Sequence, residues 1–295
     1  MNQERNWRNL AANFSYFLPG LLLYLLFFLV PAFQNLFLSL YRMDSLTEGL
    51  FVGLENYKTM LNDKLFHLAL FHALYFMLVY VTIPVALGLL VAVILAQARL
   101  KGAMLLRCVF FLPYIIPVIA VGITFQWVYM PNIGLLDNVL KFSGLGFLQR
   151  VWYGDEATAI HALGGIGIWM TFGYMMLIFL AGLQRTDQAL YEASRVDGAN
   201  AWHQLIHITI PSLKNDITVA MVFNLINGLR VFGLVMATTR GGPGNATLVM
   251  DQYAIRVAFS QGDLGYGAAL TCVVALITLA VSLLVMWVRK EESQQ

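Results

Sequence analysis

Six long apolar runs dominate this sequence, and each is long enough to cross a lipid bilayer as a helix. A spanning helix needs about 20 residues. Its backbone polar groups must be paired within the protein because lipid offers no hydrogen bonds. The predicted fold class is therefore all-α: a polytopic membrane helix bundle with six transmembrane helices. The predicted spans are residues 14–38, 67–96, 104–130, 157–183, 217–239 and 264–288.

The composition excludes an ordinary soluble domain. The chain is 59% hydrophobic and 12% charged, whereas soluble domains carry about 25% charged residues. A net charge of +2 gives no reason to expect a nucleic-acid partner. The first run is longer than a signal-peptide core and has no small-x-small cleavage site after it, so we expect a retained membrane anchor. Cys108 and Cys272 are expected toward opposite membrane faces and unlinked.

The distribution of positive charge predicts the orientation. With the N-terminus inside, the inner connections hold more Lys and Arg residues than the outer ones, although the outer loops are longer in total. Positively charged loops stay in the cytoplasm. Both termini are therefore predicted to be cytoplasmic.

A polar stretch, EASRVDGANAWHQLIHITIP at residues 192–211, separates the fourth and fifth runs. Residues 187–196 favour a short helix, which Thr186 or Asp187 would cap. The orientation above places this stretch in the cytoplasm.

The pair Asp197-Gly198 is expected to end that helix, because glycine tolerates positive backbone angles and aspartate can cap a helix that begins after it. A second short helix is predicted over about 199–208, ending before Pro211. Two short helices lying along the membrane surface can form a docking element, although helix physics alone is equally consistent with an ordinary interfacial pair.

The same stretch resembles the cytoplasmic signature of the membrane subunits of ATP-binding-cassette (ABC) importers. That signature runs Glu-Ala-Ala, two free positions, Asp-Gly-Ala and later Ile-x-Leu-Pro. Ser194, Leu205 and Ile210 depart from it, standing where Ala, Phe and Leu are usual. The matching residues are Glu192, Ala193, Asp197, Gly198, Ala199, Ile208 and Pro211.

The resemblance implies that residues 1–295 form a single ABC importer transmembrane domain, with a cytoplasmic coupling loop at 184–213. In such a subunit the loop sits in a cleft of an ATPase subunit and transmits its closure. The residues implied in ATPase coupling are Glu192, Ala193, Asp197, Gly198, Ala199 and Pro211.

Further segments resemble the carbohydrate branch of that family, which includes permeases for maltose, glycerol-3-phosphate and many oligosaccharides. Residues 238–244, Thr-Thr-Arg-Gly-Gly-Pro-Gly, look like its Thr-x-Gly-Gly-Pro segment, and residues 51–57, 111–117 and 265–269 have the same character. A Gly-Gly-Pro turn alone is weak evidence, but all four segments in this order imply a sugar or oligosaccharide. The alternatives are a permease for a phosphate ester, polyamine or amino acid, and a secondary transporter.

The sequence lacks the G-x-x-x-x-G-K-[ST] phosphate loop, so ATP hydrolysis is not assigned to this chain and we do not expect an enzyme. No cofactor or metal is expected in the chain itself, because ATP and Mg would bind in the partner ATPase subunits. His203 and His207 are four residues apart on the docking stretch, where we expect a solvated or partner-facing pair rather than a metal site.

The resemblance also implies the partners and the location. A second homologous permease subunit would complete the pore, two ATP-binding subunits would dock on the cytoplasmic side, and an extracytoplasmic solute-binding protein would deliver the solute. The expected location is a bacterial or archaeal plasma (inner) membrane, with the lipid bilayer around a multi-pass chain.

Candidate substrate contacts are polar or aromatic residues inside the runs, because burying such groups in lipid is costly. Phe223, Asn227 and Arg230 fall within a helical arc of about 60°, which Asn224 widens. In the resemblance, Tyr174 and Asn224 fall on positions that contact sugar in the maltose permease. The alternative is that these polar groups only stabilise the packing of one helix against another. The candidates are Tyr174, Asn224, Asn227, Trp169, Phe223 and Arg230.

Arg230 is the only charged residue near the middle of a run. Asp216 is too far along the same helix to pair with it, at about 21 Å for 1.5 Å per residue. Related sugar permeases often follow a basic residue here with Phe-Asp, but this chain has Gly233 at the Asp position. Two roles stay open for Arg230: gating or subunit contact, and attraction of an anionic sugar.

Overall fold

The computed structural model describes residues 16–44, 49–97 and 102–292, and the described chain is mostly helical. The backbone contacts divide it into two compact units. One unit comprises Met1–Asp63 and Ala254–Val273, and the other comprises Lys64–Tyr253 and Val274–Gln295.

The first unit contains the first apolar helix and a small hairpin. Helix α1 is Tyr16–Leu38, strands β1 (Tyr41–Arg42) and β2 (Leu50–Phe51) pair antiparallel, and α2 is Glu55–Leu61. The Asn35 amide of α1 donates a hydrogen bond of 2.8 Å to the Thr271 hydroxyl. None of the most apolar window of α1 is buried within the chain.

The second unit is built around long helices that pack closely. The main ones are α3 (Lys64–Gln97), α7 (Glu156–Leu183) and α10 (Lys214–Leu229). Small residues allow this approach, as expected for membrane helices. A Cβ on Gly228 would lie 2.7 Å from the Met77 Cα, so α10 meets the α3 backbone directly. Further helices within the described residues are α4 (Ala103–Ile115), α5 (Val118–Val128), α6 (Leu135–Phe142), α8 (Gln188–Val196), α9 (201–212), α11 (Phe232–Ala237), α12 (Met250–Ile255) and α13 (Leu264–Glu292).

Four helices within the described ranges are long and apolar enough to cross a membrane, namely α1, α3, α7 and α13. A fifth crossing is formed if the bent pair of α4 and α5 counts as one span. The helical membrane fold is therefore confirmed. Two of the six predicted spans, 104–130 and 217–239, are not the continuous helices that their apolar runs predicted.

The first break lies at Ile116 and Pro117, where α4 and α5 meet at 99°. Ile116 is extended, with φ −71° and ψ 131°, because a proline ring disfavours helical angles in the residue before it. Pro113 by contrast stays inside α4. Proline alone therefore did not locate the break.

The second break lies at Arg230 and Val231, between α10 and α11. Arg230 has φ −111° and ψ 37° and ends α10. No proline marks this position, so the uninterrupted apolar run predicted one helix over 217–239. The polar groups exposed by such a break need water or protein partners, which places both breaks beside a cavity.

Candidate functional site

A cavity of about 380 Å³ opens where the two helix breaks meet. Ile116 and Val118 line it at the first break, and Arg230 and Val231 line it at the second. Its polar lining adds Tyr80, Tyr114, Thr171 and Asn227. The cavity therefore combines hydrogen-bonding groups, one cation and aromatic rings, within the size range of small-molecule sites.

An aromatic cluster joins the cavity wall to the neighbouring helices. The ring of Tyr174 stacks on that of Tyr114, with centroids 4.4 Å apart and planes 6° apart. Phe223 packs against Tyr174 at 5.0 Å. Of the predicted aromatic contacts, Tyr174 and Phe223 are thus brought together behind Tyr114, which lines the cavity, although neither lines it itself. Trp169 instead packs on Phe125 at 5.4 Å and is not among the cavity-lining residues.

The two asparagines predicted on α10 occupy different environments. Asn227 lines the cavity, and its amide donates a hydrogen bond of 2.9 Å to the Phe223 carbonyl. Asn224 is 0% exposed and does not line the cavity. Neither its amide nitrogen nor its amide oxygen has a hydrogen-bond partner. An unpaired buried amide costs about 1–3 kcal/mol, so this residue is in an unfavourable environment in the state described.

Arg230 has an acidic neighbour that sequence reasoning missed. Asp251, at the start of α12 and outside the spans, is half-buried. Burial raises the pKa of its carboxyl, while the positive charge of Arg230 acts to lower it. Asp216, the only acid considered from the sequence, pairs instead with Arg185 at 2.6 Å. The neighbour was missed because α12 follows a long loop, and helical spacing reveals only partners on the same helix.

The polar stretch after α7 folds into two short helices at one end of the second unit. Helix α8 begins after Asp187, whose carboxylate accepts a hydrogen bond of 2.9 Å from the Ala189 N–H, as predicted. Gly198 has φ +79° and follows the end of α8. In this left-handed region glycine avoids the steric cost that a side chain would add.

Two details of the second helix differ from the prediction. Its cap is Asn200, whose side chain accepts from the His203 N–H at 2.9 Å, and not Asp197. The helix also continues past Pro211 to Ser212. The turn before the proline, Leu205–Thr209, is π-helical. This altered bonding accommodates the missing proline N–H, so the helix is not ended there.

The loop after α11 is closed by its own hydrogen bonds. The hydroxyls of Thr239 and Thr247 lie 2.6 Å apart, and Thr247 also donates to the Gly242 carbonyl at 2.9 Å. Gly244 has φ +53° and lies against the Glu156 carboxylate. The Thr-x-Gly-Gly-Pro segment therefore forms a compact loop against the start of α7.

Residues 85–291 match the family described as "binding-protein-dependent transport system inner membrane component". The chain belongs to this family. The matched region contains both helix breaks, the α8–α9 pair and the closed loop.

Curated relatives and solved structures agree with this assignment. The probable ABC transporter permease protein YurN of Bacillus subtilis (strain 168) is 36% identical over 272 residues, which cover 92% of this chain and 93% of that protein. The trehalose/maltose transport system permease protein MalF of Thermococcus litoralis is 32% identical over 284 residues, which cover 96% and 95%. A bacterial ABC transporter involved in the import of alginate has the same fold, with a TM-score of 0.82 at 20% identity over 97% of this chain and 99% of that one.

In this permease, further contacts make the α8–α9 pair a rigid element. The Tyr191 hydroxyl lies 3.0 Å from the Thr209 hydroxyl, and the Gln204 amide donates to the Ser194 hydroxyl at 2.9 Å. Ser194 is the position that departs from the usual Ala. These cross-links were missed because they join residues 10 to 18 positions apart, beyond any helical periodicity.

The outer surface of the pair carries the predicted coupling residues. Glu192, Ala193, Asp197, Gly198 and Pro211 are exposed, and Ala199 is half-buried. Trp202, which the motif does not include, is 65% exposed on the same element. An exposed tryptophan beside exposed charges is typical of a protein-contact surface.

Proposed function

We propose that this permease is the transmembrane subunit of a binding-protein-dependent ABC importer for a sugar or oligosaccharide, driven by ATP hydrolysis in separate ATPase subunits. The observation that carries the proposal is the cavity at the two helix breaks. It offers aromatic faces for sugar C–H groups and hydrogen-bonding groups for hydroxyls. The trehalose/maltose relative supports the solute class.

Within this proposal, Tyr174, Asn227, Phe223 and Arg230 contact the solute or shape its path. Asn224 contacts it only after α10 has moved, because it is fully buried in the described state. Trp169 precedes Tyr174 on α7. It would act at the entry to the solute path or at the contact with the second permease subunit. In this proposal the solute contacts the subunit where its helices are broken, as in other transporters.

The α8–α9 pair is the proposed coupling element, formed by residues 184–213 of a single transmembrane domain. The two hydrogen bonds between α8 and α9 support transmission of a force, because two helices linked at two points move as one body. The cleft of a cytoplasmic ATPase subunit would hold the exposed residues Glu192, Ala193, Asp197 and Gly198, with Ala199 and Pro211 fixing the path of the chain. Nucleotide and Mg would bind in that partner.

The proposed topology has six membrane crossings and both termini in the cytoplasm of a bacterial or archaeal cell. The bent α4–α5 pair supplies the third crossing, and the broken α10–α11 pair supplies the fifth. The exposed apolar surface of α1 supports contact with lipid or with the second permease subunit. A solute-binding protein would dock on the opposite side from α8 and α9.

Reconstituted transport tests the function. Proteoliposomes would contain this permease with its co-encoded permease and ATPase subunits, and the binding protein would be added on the outer face. We expect ATP-dependent uptake of labelled di- or oligosaccharides and none with an inactive ATPase variant. Preferred uptake of a phosphate ester, polyamine or amino acid would assign another solute class. Uptake driven by an ion gradient without ATP would overturn the importer assignment.

Single-cysteine labelling tests the topology. In a background without Cys108 and Cys272, an impermeant maleimide applied to right-side-out cells should label Arg150→Cys and leave Glu192→Cys unlabelled until the cells are opened. Labelling of position 192 from outside would reverse the orientation and remove the coupling role with it.

A further inference from the structure

Helix α6 has an inverted distribution of polar and apolar residues. Asp137 is 3% exposed, whereas Phe142 is 97% exposed. At 100° per residue, Leu135, Val139 and Phe142 share an arc of about 60°, and all three are exposed. A helix in water keeps its apolar stripe inside and its charges outside. The medium that covers α6 is therefore apolar.

The inverted arrangement is fixed by hydrogen bonds. The Asp137 carboxylate accepts from the Asn132 N–H at 2.9 Å and from the Trp152 indole N–H at 3.1 Å. The Gln149 amide donates to the Asp137 carbonyl at 3.0 Å. Three contacts on one residue hold the helix in this rotation. It cannot turn its apolar stripe inward without leaving the buried carboxylate unpaired, which is costly for a buried charged group.

The position of α6 in the chain places it at the membrane boundary. Six residues separate it from the end of α5, a reach of at most about 25 Å. The candidate span α7 begins at Glu156. Aromatic residues of the type that sit at membrane interfaces surround this segment. Trp127 is exposed at the end of α5, and Tyr129 packs on Trp152 at 5.9 Å.

The exposed charges nearest α6 have one sign, whereas Asp155 and Glu156 at the start of α7 are exposed carboxylates. Within residues 129–151 the only acidic residue is the buried Asp137, and the basic residues Lys141 and Arg150 are both exposed. An apolar stripe with flanking basic residues fits anionic lipid head groups over acyl chains. An acidic protein surface would match the charges but would leave the continuity with two membrane segments unexplained.

We propose that α6 is an interfacial helix, which lies in the lipid head-group layer and buries Leu135, Val139 and Phe142 among the acyl chains. Removal of these three side chains from water favours this placement of the helix. The helix fixes the depth of the 129–155 connection, and through Asp137 and Trp152 it positions the start of α7. This inference rests on membership of the membrane permease family and is independent of the transported solute.

Depth-dependent quenching tests this placement in the assembled transporter. Phe142→Cys and Val139→Cys would each be labelled with an environment-sensitive fluorophore, in the background without native cysteines. Vesicles of phosphatidylglycerol and phosphatidylcholine would carry nitroxide-labelled acyl chains. We expect blue-shifted emission, strong quenching by the labelled lipid and little quenching by iodide. Lys141→Cys is the matched control, one residue away on another face, and should show the opposite pattern.

Two outcomes would overturn the proposal. Equal iodide quenching at 139, 141 and 142 would mean that the stripe faces water. Shielding of 139 and 142 from both quenchers would mean that protein covers it. If that shielding appears only when the solute-binding protein is added, the surface belongs to that partner. Phe142 packs against little of the chain, so its replacement is expected to leave folding intact. The second labelled position, 139, on the same stripe, shows whether the result depends on where one fluorophore is attached.

Discussion

The Tyr114 and Tyr174 rings are nearly parallel, 6° apart in plane and 4.4 Å apart between centroids. Tyr114 lies two residues before the break at Ile116, whereas Tyr174 lies in the middle of the continuous helix α7. The stack therefore connects the bend between α4 and α5 to the continuous helix α7. Any change in the angle between α4 and α5 would alter the wall of the cavity.

We expect Tyr174→Ala and Tyr114→Ala to lower uptake without loss of assembly. Each removes a ring pair worth about 0.5–1.5 kcal/mol and a hydrogen-bonding hydroxyl worth on the order of 1–3 kcal/mol where the solute uses it. Initial uptake rates, with co-purification of the subunits, would measure this. The matched variants Tyr174→Phe and Tyr114→Phe keep the stack and isolate the hydroxyl. Wild-type uptake in both Ala variants would place the solute path elsewhere.

Asn224 gives a prediction in which stability and transport change in opposite directions. In the described state its amide is buried and unpaired, so Asn224→Leu, similar in size, should stabilise the permease by up to about 1–3 kcal/mol. If α10 moves to present Asn224 to the solute, the same variant should lose uptake. The unfolding temperature in detergent and the uptake rate would be measured together. Unchanged uptake with raised stability would remove Asn224 from the substrate site.

Much of the helical fold could be predicted from the sequence, because apolar run length is a direct consequence of bilayer thickness. The predicted run 157–183 corresponds to α7 at Glu156–Leu183. The breaks were harder to predict. Proline reduces helix stability but does not fix where a helix ends, as Pro113 and Pro117 illustrate within one run.

The candidate site was predictable where it depends on helical spacing and not where it depends on tertiary packing. Asn227 and Arg230, which were predicted to share a helical arc, both line the cavity, although Arg230 lies at the break after α10. The burial of Asn224 depends on how α10 packs, and the neighbour of Arg230 comes from another element. Tyr80 and Tyr114 line the cavity without any sequence signal, because buried tyrosines are common in apolar helices.

Gly198 should be intolerant of β-branched residues for a backbone reason alone. Its φ is +79°, and a Cβ there would meet nothing within 4 Å. Gly198→Val therefore adds strain of about 1–3 kcal/mol without a clash, and should reorient α9. We expect loss of transport coupled to ATP hydrolysis, with sugar affinity of the binding protein unchanged. Gly198→Asn is the matched control, because asparagine tolerates this conformation better. Normal transport in the Val variant would refute the lever role of the α8–α9 pair.

Arg230 and Asp251 should show a pH-dependent coupling whose sign is set by the charges. Burial raises the pKa of the Asp251 carboxyl, and the charge of Arg230 opposes that rise. In Arg230→Gln the opposing charge is lost, so the pKa of Asp251 should rise further. A carboxyl with a raised folded-state pKa favours the folded state below its unfolded pKa, and this advantage is lost as pH rises through the folded value. The variant should therefore be closest to wild type in acid and increasingly less stable toward neutral pH.

Unfolding temperatures of the purified complex across this pH range would measure the effect, which should weaken in high salt because Arg230 is exposed. The Asp251→Asn background lacks the titrating group, so the difference between Arg230→Gln/Asp251→Asn and Asp251→Asn should lose this pH dependence. Transport separates the two roles of Arg230. Impaired uptake of every sugar with altered basal ATPase activity would indicate gating, whereas selective loss of acidic sugars would indicate a solute contact. A difference in stability between Arg230→Gln and wild type that does not change with pH would show that Asp251 and Arg230 act independently.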